Sequence, residues 1–167
     1  MDNFETRASE RVAELGTNIS LAAFAASFNL FRFSTRLIQD LEASIHRPRG
    51  LSTAGFRVMF TIWALGEMEP RQLANHSGVS RAAISGAVAT LAAAGLVEKS
   101  REQADRRLVT VRLSPEGAAL LEEMYRAQNV HEQGLFSDIS AEDLSGFTRV
   151  LRSLLDSRAS EAEQETS

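Results

Sequence analysis

Apolar positions recur at helical intervals along most of the chain. Between residues 20 and 46, Leu21, Phe24, Phe28, Phe31, Ile38, Leu41 and Ile45 fall three, four or seven apart, the period of one helix face. Ser20 stands where an N-cap belongs, and Pro48 with Gly50 ends the run. A second helix starts from Ser52 or Thr53, carries Phe56, Met59, Phe60, Trp63 and Leu65, and stops at Gly66. Pro70 opens a third helix, where a missing amide costs nothing. Gly78 makes a turn, and Ser80 caps a fourth helix with a buried stripe of Ile84, Val88 and Leu91 and a left-handed C-cap at Gly95.

After Gly95 the period changes to two. Residues 96–100 and 108–113 read as strands, since Val109, Val111 and Leu113 alternate with Thr110 and Arg112. A charged tip separates them. Ser114-Pro115-Glu116 restarts a helix through Leu120, Leu121 and Met124 towards Gln128 and His131. Ser140 to Asp143 resembles a capping box and opens a last helix, with Leu144, Phe147, Val150, Leu151, Leu154 and Leu155 expected inside. Residues 1–19 are expected to be a frayed or weakly helical arm with a short stripe of Val12, Leu15 and Ile19. Residues 156–167 are polar and expected to be a disordered tail.

The stretch 70–113 is therefore two short helices around a glycine turn, then a charged hairpin. This is the sequence form of a winged helix-turn-helix, which places its second helix in the DNA major groove. The expected fold is mainly α with a small β wing. Residues 51–113 form the DNA-binding domain, and residues 20–46 and 114–155 form dimerisation helices. The long aromatic-rich helix needs more partner surface than one small wing domain offers, which points to a homodimer.

Composition narrows the classes. A chain of 167 residues that is 44% hydrophobic buries a core. No apolar run approaches the roughly 20 residues of a membrane helix, and the N-terminus lacks a signal-peptide core, so a cytoplasmic protein without membrane partner is expected. The absence of cysteine excludes disulfides, thiolate zinc sites and a thiol switch. The net charge of −4 looks wrong for a nucleic-acid ligand, but its distribution resolves this. From Arg71 to Arg112, seven Lys and Arg stand against three acids, so this segment is +4 and the rest −8. Screening over roughly 8–10 Å lets a basic face act on an acidic body.

On the fourth helix, Ser80, Arg81, Ala82, Ser85, Gly86 and Ala89 lie off the buried stripe. Arg81 suits a guanine or phosphate, and Ser85 a base edge or phosphate. The many small residues make direct base readout sparse and give shape readout more weight. Gly86 in mid-helix costs about 1 kcal/mol relative to Ala; it permits either close backbone approach to DNA or packing on a neighbouring helix. Arg106 and Arg107 sit near the hairpin tip, where an Arg enters a narrow minor groove, and Lys99 and Arg101 add phosphate contacts. The three histidines, His46, His76 and His131, show no short ligand spacing, so no metal or cofactor is expected. No Gly-rich phosphate loop, HExxH or nucleophile elbow is present, so no enzyme is expected. A metal-responsive regulator and a winged helix that binds protein instead of DNA are the competing readings.

The stretches LANHSGVSRAAISGAVATLAAAGLVEK and ADRRLVTVRLSPEG resemble the MarR family of transcription regulators over residues 20–155. Asp105 and Arg107 match the family's wing Asp-x-Arg, and Leu113, Ser114, Pro115 and Gly117 match the segment after it. Gly86, Ala89 and Ala92 depart from the pattern, since many members carry larger polar residues there. The resemblance implies a homodimer with interlocked terminal helices, each wing domain binding half of a pseudo-palindromic operator in double-stranded DNA. It implies that Asp105 orients Arg107 or a neighbouring Arg at the DNA. It further implies a small-molecule effector bound between the dimerisation helices and the wing domain. The nearest candidates for that site are Phe28, Phe31, Arg32, Met59, Phe60 and Trp63, an aromatic wall with one guanidinium that suits an aromatic carboxylate. Repression released by such a ligand is the function this resemblance implies.

Overall fold

The computed structural model describes residues 3–101 and 109–164. The chain divides into two compact units, residues 1–124 and 125–167. The first begins with α1 (Asn3–Ala13) and α2 (Leu21–Leu41). The Ser20 hydroxyl accepts from the Ala23 amide at 3.2 Å, the cap its position predicts. Helix α2 then widens into a π turn at Glu42–His46 and tightens into a 3-10 turn at Arg47–Arg49. Gly50, at φ +75°, ends it.

The arm expected to be frayed or weakly helical carries an 11-residue helix. Its anchor is Phe4, whose ring meets that of Phe28 edge-on at 5.3 Å. Of the predicted stripe, Val12 is half-buried, while Leu15 and Ile19 are exposed.

The wing domain follows as α3 (Thr53–Leu65), α4 (Pro70–Ser77), α5 (Arg81–Ala93), β1 (Val97–Arg101) and β2 (Val109–Leu113). Ser52 caps α3 by accepting from the Gly55 amide, and Ser80 caps α5 by accepting from the Ala83 amide. Gly78 joins α4 to α5 at φ +65°, a conformation that L side chains resist. The strands pair antiparallel from Val97 opposite Leu113 to Arg101 opposite Val109. Met68 adds a further rung on the free edge of β2, exchanging both backbone hydrogen bonds with Val111 at 2.9 and 3.2 Å. The core of this domain is Val58, Met59, Leu73, Ile84, Leu91 and Val111, each 1% exposed or less. Each such side chain contributes about 1.5–3 kcal/mol by leaving water.

Helix α6 (Pro115–Leu135) starts on Ser114. The Ser114 hydroxyl accepts from the Gly117 amide at 2.9 Å and donates to the Gly95 carbonyl at 2.7 Å. Gly117 lies so close to the end of α5 that a β-carbon there would sit 2.0 Å from the Leu96 carbonyl oxygen. Leu121 and Met124 are buried.

In the second unit, α7 runs from Ala141 to Gln164, so the stretch from Asp156 is helical as far as that residue and not a disordered tail. Ser140 accepts from the Asp143 amide at 3.1 Å, an N-cap, and donates its hydroxyl to the Asp143 carboxylate at 2.7 Å. This differs from the expected capping box, because the carboxylate takes the hydroxyl and not the Ser140 amide. The apolar residues expected inside α7 include four that are exposed: Phe147, Val150, Leu154 and Leu155. Periodicity marks which face is apolar, and a single chain leaves that face in water.

Candidate nucleic-acid interface

Helix α5 presents Ile84, Val88 and Leu91 to the core at 1%, 3% and 1% exposure. That leaves Ser80, Arg81, Ala82, Ser85, Gly86 and Ala89 exposed on the opposite side. The helix thus offers its N-terminal half to a partner without disturbing its packing.

Two grooves flank it. On the wing side, Arg81, Ser85 and Lys99 converge with Arg71 on a groove of about 250 Å³ floored by Ile84 and Val88. Three of the sequence-predicted contacts therefore share one surface. Arg71 counted towards the basic segment but gave no sign of its placement, because it belongs to α4 and meets the others only through the turn at Gly78. Glu69 holds it at 2.9 Å, and the Glu69 amide is in turn capped by the Gln72 side chain at 2.9 Å. Arg81 and Lys99 have no carboxylate partner among the described residues, so their charge is available to a phosphate.

On the other side, α5 meets the start of α3 in a groove of about 230 Å³, where Ala83, Ala87 and Thr90 face Leu51, Ser52 and Gly55. Ala83 and Ala87 are the small residues that pack there. A β-carbon added at Gly86 meets nothing within 4 Å. Gly86 also lines this groove, but packing against the described residues does not require a glycine there.

In the wing, Glu98 and Arg112 stand directly opposite on β1 and β2. The Arg112 guanidinium donates twice to one Glu98 carboxylate oxygen, at 2.6 and 2.9 Å. This pair neutralises one cation of the basic segment. The backbone of Arg101 ends β1 opposite Val109. Its side chain, and the predicted contacts Asp105, Arg106 and Arg107, lie outside the described residues.

The six residues expected to line an effector site do not present one common wall. Met59 is fully buried in the wing-domain core and has no surface to offer; it occupies the inward position of α3, which periodicity alone equates with Phe60 beside it. Phe60 lies in an aromatic row, 6.0 Å from Phe56 and 5.9 Å from Trp63, and Trp63 is exposed. The Arg32 guanidinium sits over the Phe4 ring at 5.5 Å and the Phe28 ring at 5.3 Å, a cation–π arrangement between α2 and α1. Phe31 is 71% exposed and shares a groove on α2 with Arg32, without Met59, Phe60 or Trp63. His46 is buried and stacks on Phe56 at 4.3 Å. Among the described residues no cluster of three His, Cys, Asp or Glu is placed to hold a metal ion.

A capped helix-turn-helix, a two-stranded wing and a basic groove along the second helix define a winged-helix DNA-binding protein. Comparison with known proteins specifies which kind. Residues 51–109 match the model of the MarR family. The uncharacterised HTH-type transcriptional regulator YwaE of Bacillus subtilis (strain 168) is 30% identical over 83% of this chain and 81% of its own length. The HTH-type transcriptional repressor YetL of the same organism is 26% identical over 86% and 87%. Among solved structures, BpsR of Bordetella bronchiseptica, whose DNA binding is regulated by 6-hydroxynicotinic acid, superposes with a TM-score of 0.70. It is 26% identical and covers 77% of this chain and 97% of its own. The chain belongs to the MarR family of transcription regulators. No described helix is long and apolar enough to cross a membrane.

Proposed function

We propose that this protein is a homodimeric, ligand-released repressor acting in the cytoplasm on a pseudo-palindromic operator. The observation that carries the reading is the groove in which Arg81, Ser85 and Lys99 converge beside the exposed start of α5. A phosphodiester strand running past the groove meets unpaired cations there while the helix enters the major groove. Ser80, Arg81, Ala82, Ser85 and Gly86 face the bases and sugar-phosphate edge, and Lys99, Arg101, Asp105, Arg106 and Arg107 serve the adjoining minor groove and backbone. The apolar faces that α2 and α7 leave in water supply the two-fold contact. YetL, a named repressor, supports the direction of control. BpsR supports an aromatic carboxylate as the effector class. Arg32 with Phe28 offers a guanidinium beside an aromatic ring for such a ligand.

The test is selection of bound duplexes from a random pool, followed by anisotropy titration at several salt concentrations. A two-fold-related site, bound with steep salt dependence and released by 6-hydroxynicotinate or a related acid, is the expected result. Enrichment of no duplex would overturn the DNA-binding reading; a site indifferent to all aromatic acids would overturn the effector class.

A further inference from the structure

Three cations of the wing domain have no carboxylate partner among the described residues: Arg81, Lys99 and Arg57. The first two flank the wing-side groove. Arg57 belongs to neither the recognition helix nor the wing. It lies on α3, one turn beyond the Ser52 cap and exposed between the buried Phe56 and Val58. Its guanidinium reaches over the turn that separates α4 from α5, with one terminal nitrogen 3.9 Å from the point where a β-carbon on Gly78 would stand.

This placement has a geometric consequence. Helix α5 has α3 along one flank and the wing strand along the other, since Gly55 of α3 lines one groove and Lys99 of β1 the other. Charge on the wing side alone would grip only one edge of a major groove that is about 12 Å wide. Arg57 lines neither groove and carries positive charge from α3 to the turn that leads into α5, away from the wing strand. An arginine that is exposed and ion-paired to nothing described contributes little to folding. Its planar guanidinium matches a phosphodiester oxygen pair.

We propose that Arg57 is a backbone-gripping residue that binds a DNA phosphate on the edge of the major groove opposite the wing. It fixes how far α5 is inserted, and it acts on every sequence alike because it touches no base. The proposal rests on the DNA-binding reading above and adds to it a contact outside the helix-turn-helix and wing.

The test is the salt dependence of binding by the full-length protein to the selected duplex and to a random duplex of equal length. Loss of one phosphate contact per half-site in Arg57→Ala should reduce the slope of log K against log salt by about 0.9 per contact, about 1.8 for a two-fold complex. Affinity should fall by about tenfold on both duplexes, leaving their ratio unchanged. Arg57→Lys should keep most of the slope. In a second measurement on the wild-type protein, methylphosphonates that neutralise single phosphates along the operator should reveal one position per half-site that weakens wild type but leaves Arg57→Ala unaffected. An unchanged slope in Arg57→Ala, or no such position, overturns the proposal while leaving the DNA-binding reading intact. A wild-type protein that binds neither duplex overturns both.

Discussion

The Glu42 carboxylate ties the end of α2 to the start of α3 through Thr53. It accepts from the Thr53 hydroxyl at 2.5 Å and from the Thr53 amide at 3.3 Å, while Arg47 donates to its other oxygen at 2.8 Å. The Thr53 hydroxyl, then Arg47 and the Thr53 amide, hold the Glu42 carboxyl down from its ordinary value to about 2. The π turn that begins at Glu42 brings this side chain to the wing domain. A helix widened by one residue per turn redirects every side chain after it.

A carboxyl lowered in the folded state contributes stability that is complete above its ordinary value of 4.5 and lost as pH falls towards 2. Glu42→Gln should therefore cost about 1–2 kcal/mol at neutral pH. The gap between wild type and variant should close between pH 4.5 and 2. Urea melts across that range check it; a gap that is constant with pH would show that the ionised form is not what Thr53 and Arg47 select.

Gly86→Ala should raise stability and weaken DNA binding together. The added methyl meets open space, so the helix gains about 0.5–1 kcal/mol from lost backbone freedom. The same methyl stands on the face proposed to enter the groove. Thermal melts and operator titrations on one preparation separate the two effects. A variant that is more stable and binds equally well would show that close backbone approach is not the reason for the glycine.

Gly117→Ala should do the reverse in the fold. Its β-carbon collides with the Leu96 carbonyl, a backbone atom that Ser114 and the end of α5 hold in place. Overpacking of this kind costs about 1–3 kcal/mol, more than the helix propensity of Ala returns. A lowered melting temperature in a calorimetric scan is the expected outcome.

Leu154→Glu should shift the protein to monomer. Leu154 is exposed, as are Val150 and Leu155 near it on α7, and a charge cannot be buried there without a partner. Light scattering across a dilution series reads the change. A variant that stays dimeric would place the two-fold contact elsewhere.

Arg81→Ala should weaken operator binding at least tenfold, about 1.4 kcal/mol. Anisotropy at fixed salt measures it. Arg112→Ala, by contrast, should leave affinity nearly unchanged, because Glu98 already holds that guanidinium.

What the chain discloses by its pattern is mostly local. The caps at Ser20, Ser52, Ser80 and Ser140 and the turns at Gly78 and Gly95 involve partners three or four residues away, which spacing reveals. Arg81 and Ser85 were recognisable as exposed residues because the stripe of Ile84, Val88 and Leu91 fixes which face of α5 is left over. Relations that span the fold were hidden. Nothing near Phe4 announces that Phe28 will receive its ring, so the first helix read as a loose arm. Met68 has no strand pattern around it, yet it pairs with Val111. Periodicity marked Met59 as apolar without saying whether it faces a cavity or the core. Arg71 and Arg57 sit on helices whose buried faces are clear, but their convergence on α5 depends on how three helices cross.

Ser114 gives one hydroxyl to two elements. Because the same oxygen holds the Gly95 carbonyl just after α5 and the first turn of α6, and Gly117 brings α6 against the Leu96 carbonyl, the start of α6 is tied directly to the end of α5. A displacement of α6 would therefore act on the backbone that follows α5 through contacts already in place. Control over DNA entry then needs no contact with the DNA-facing surface at all.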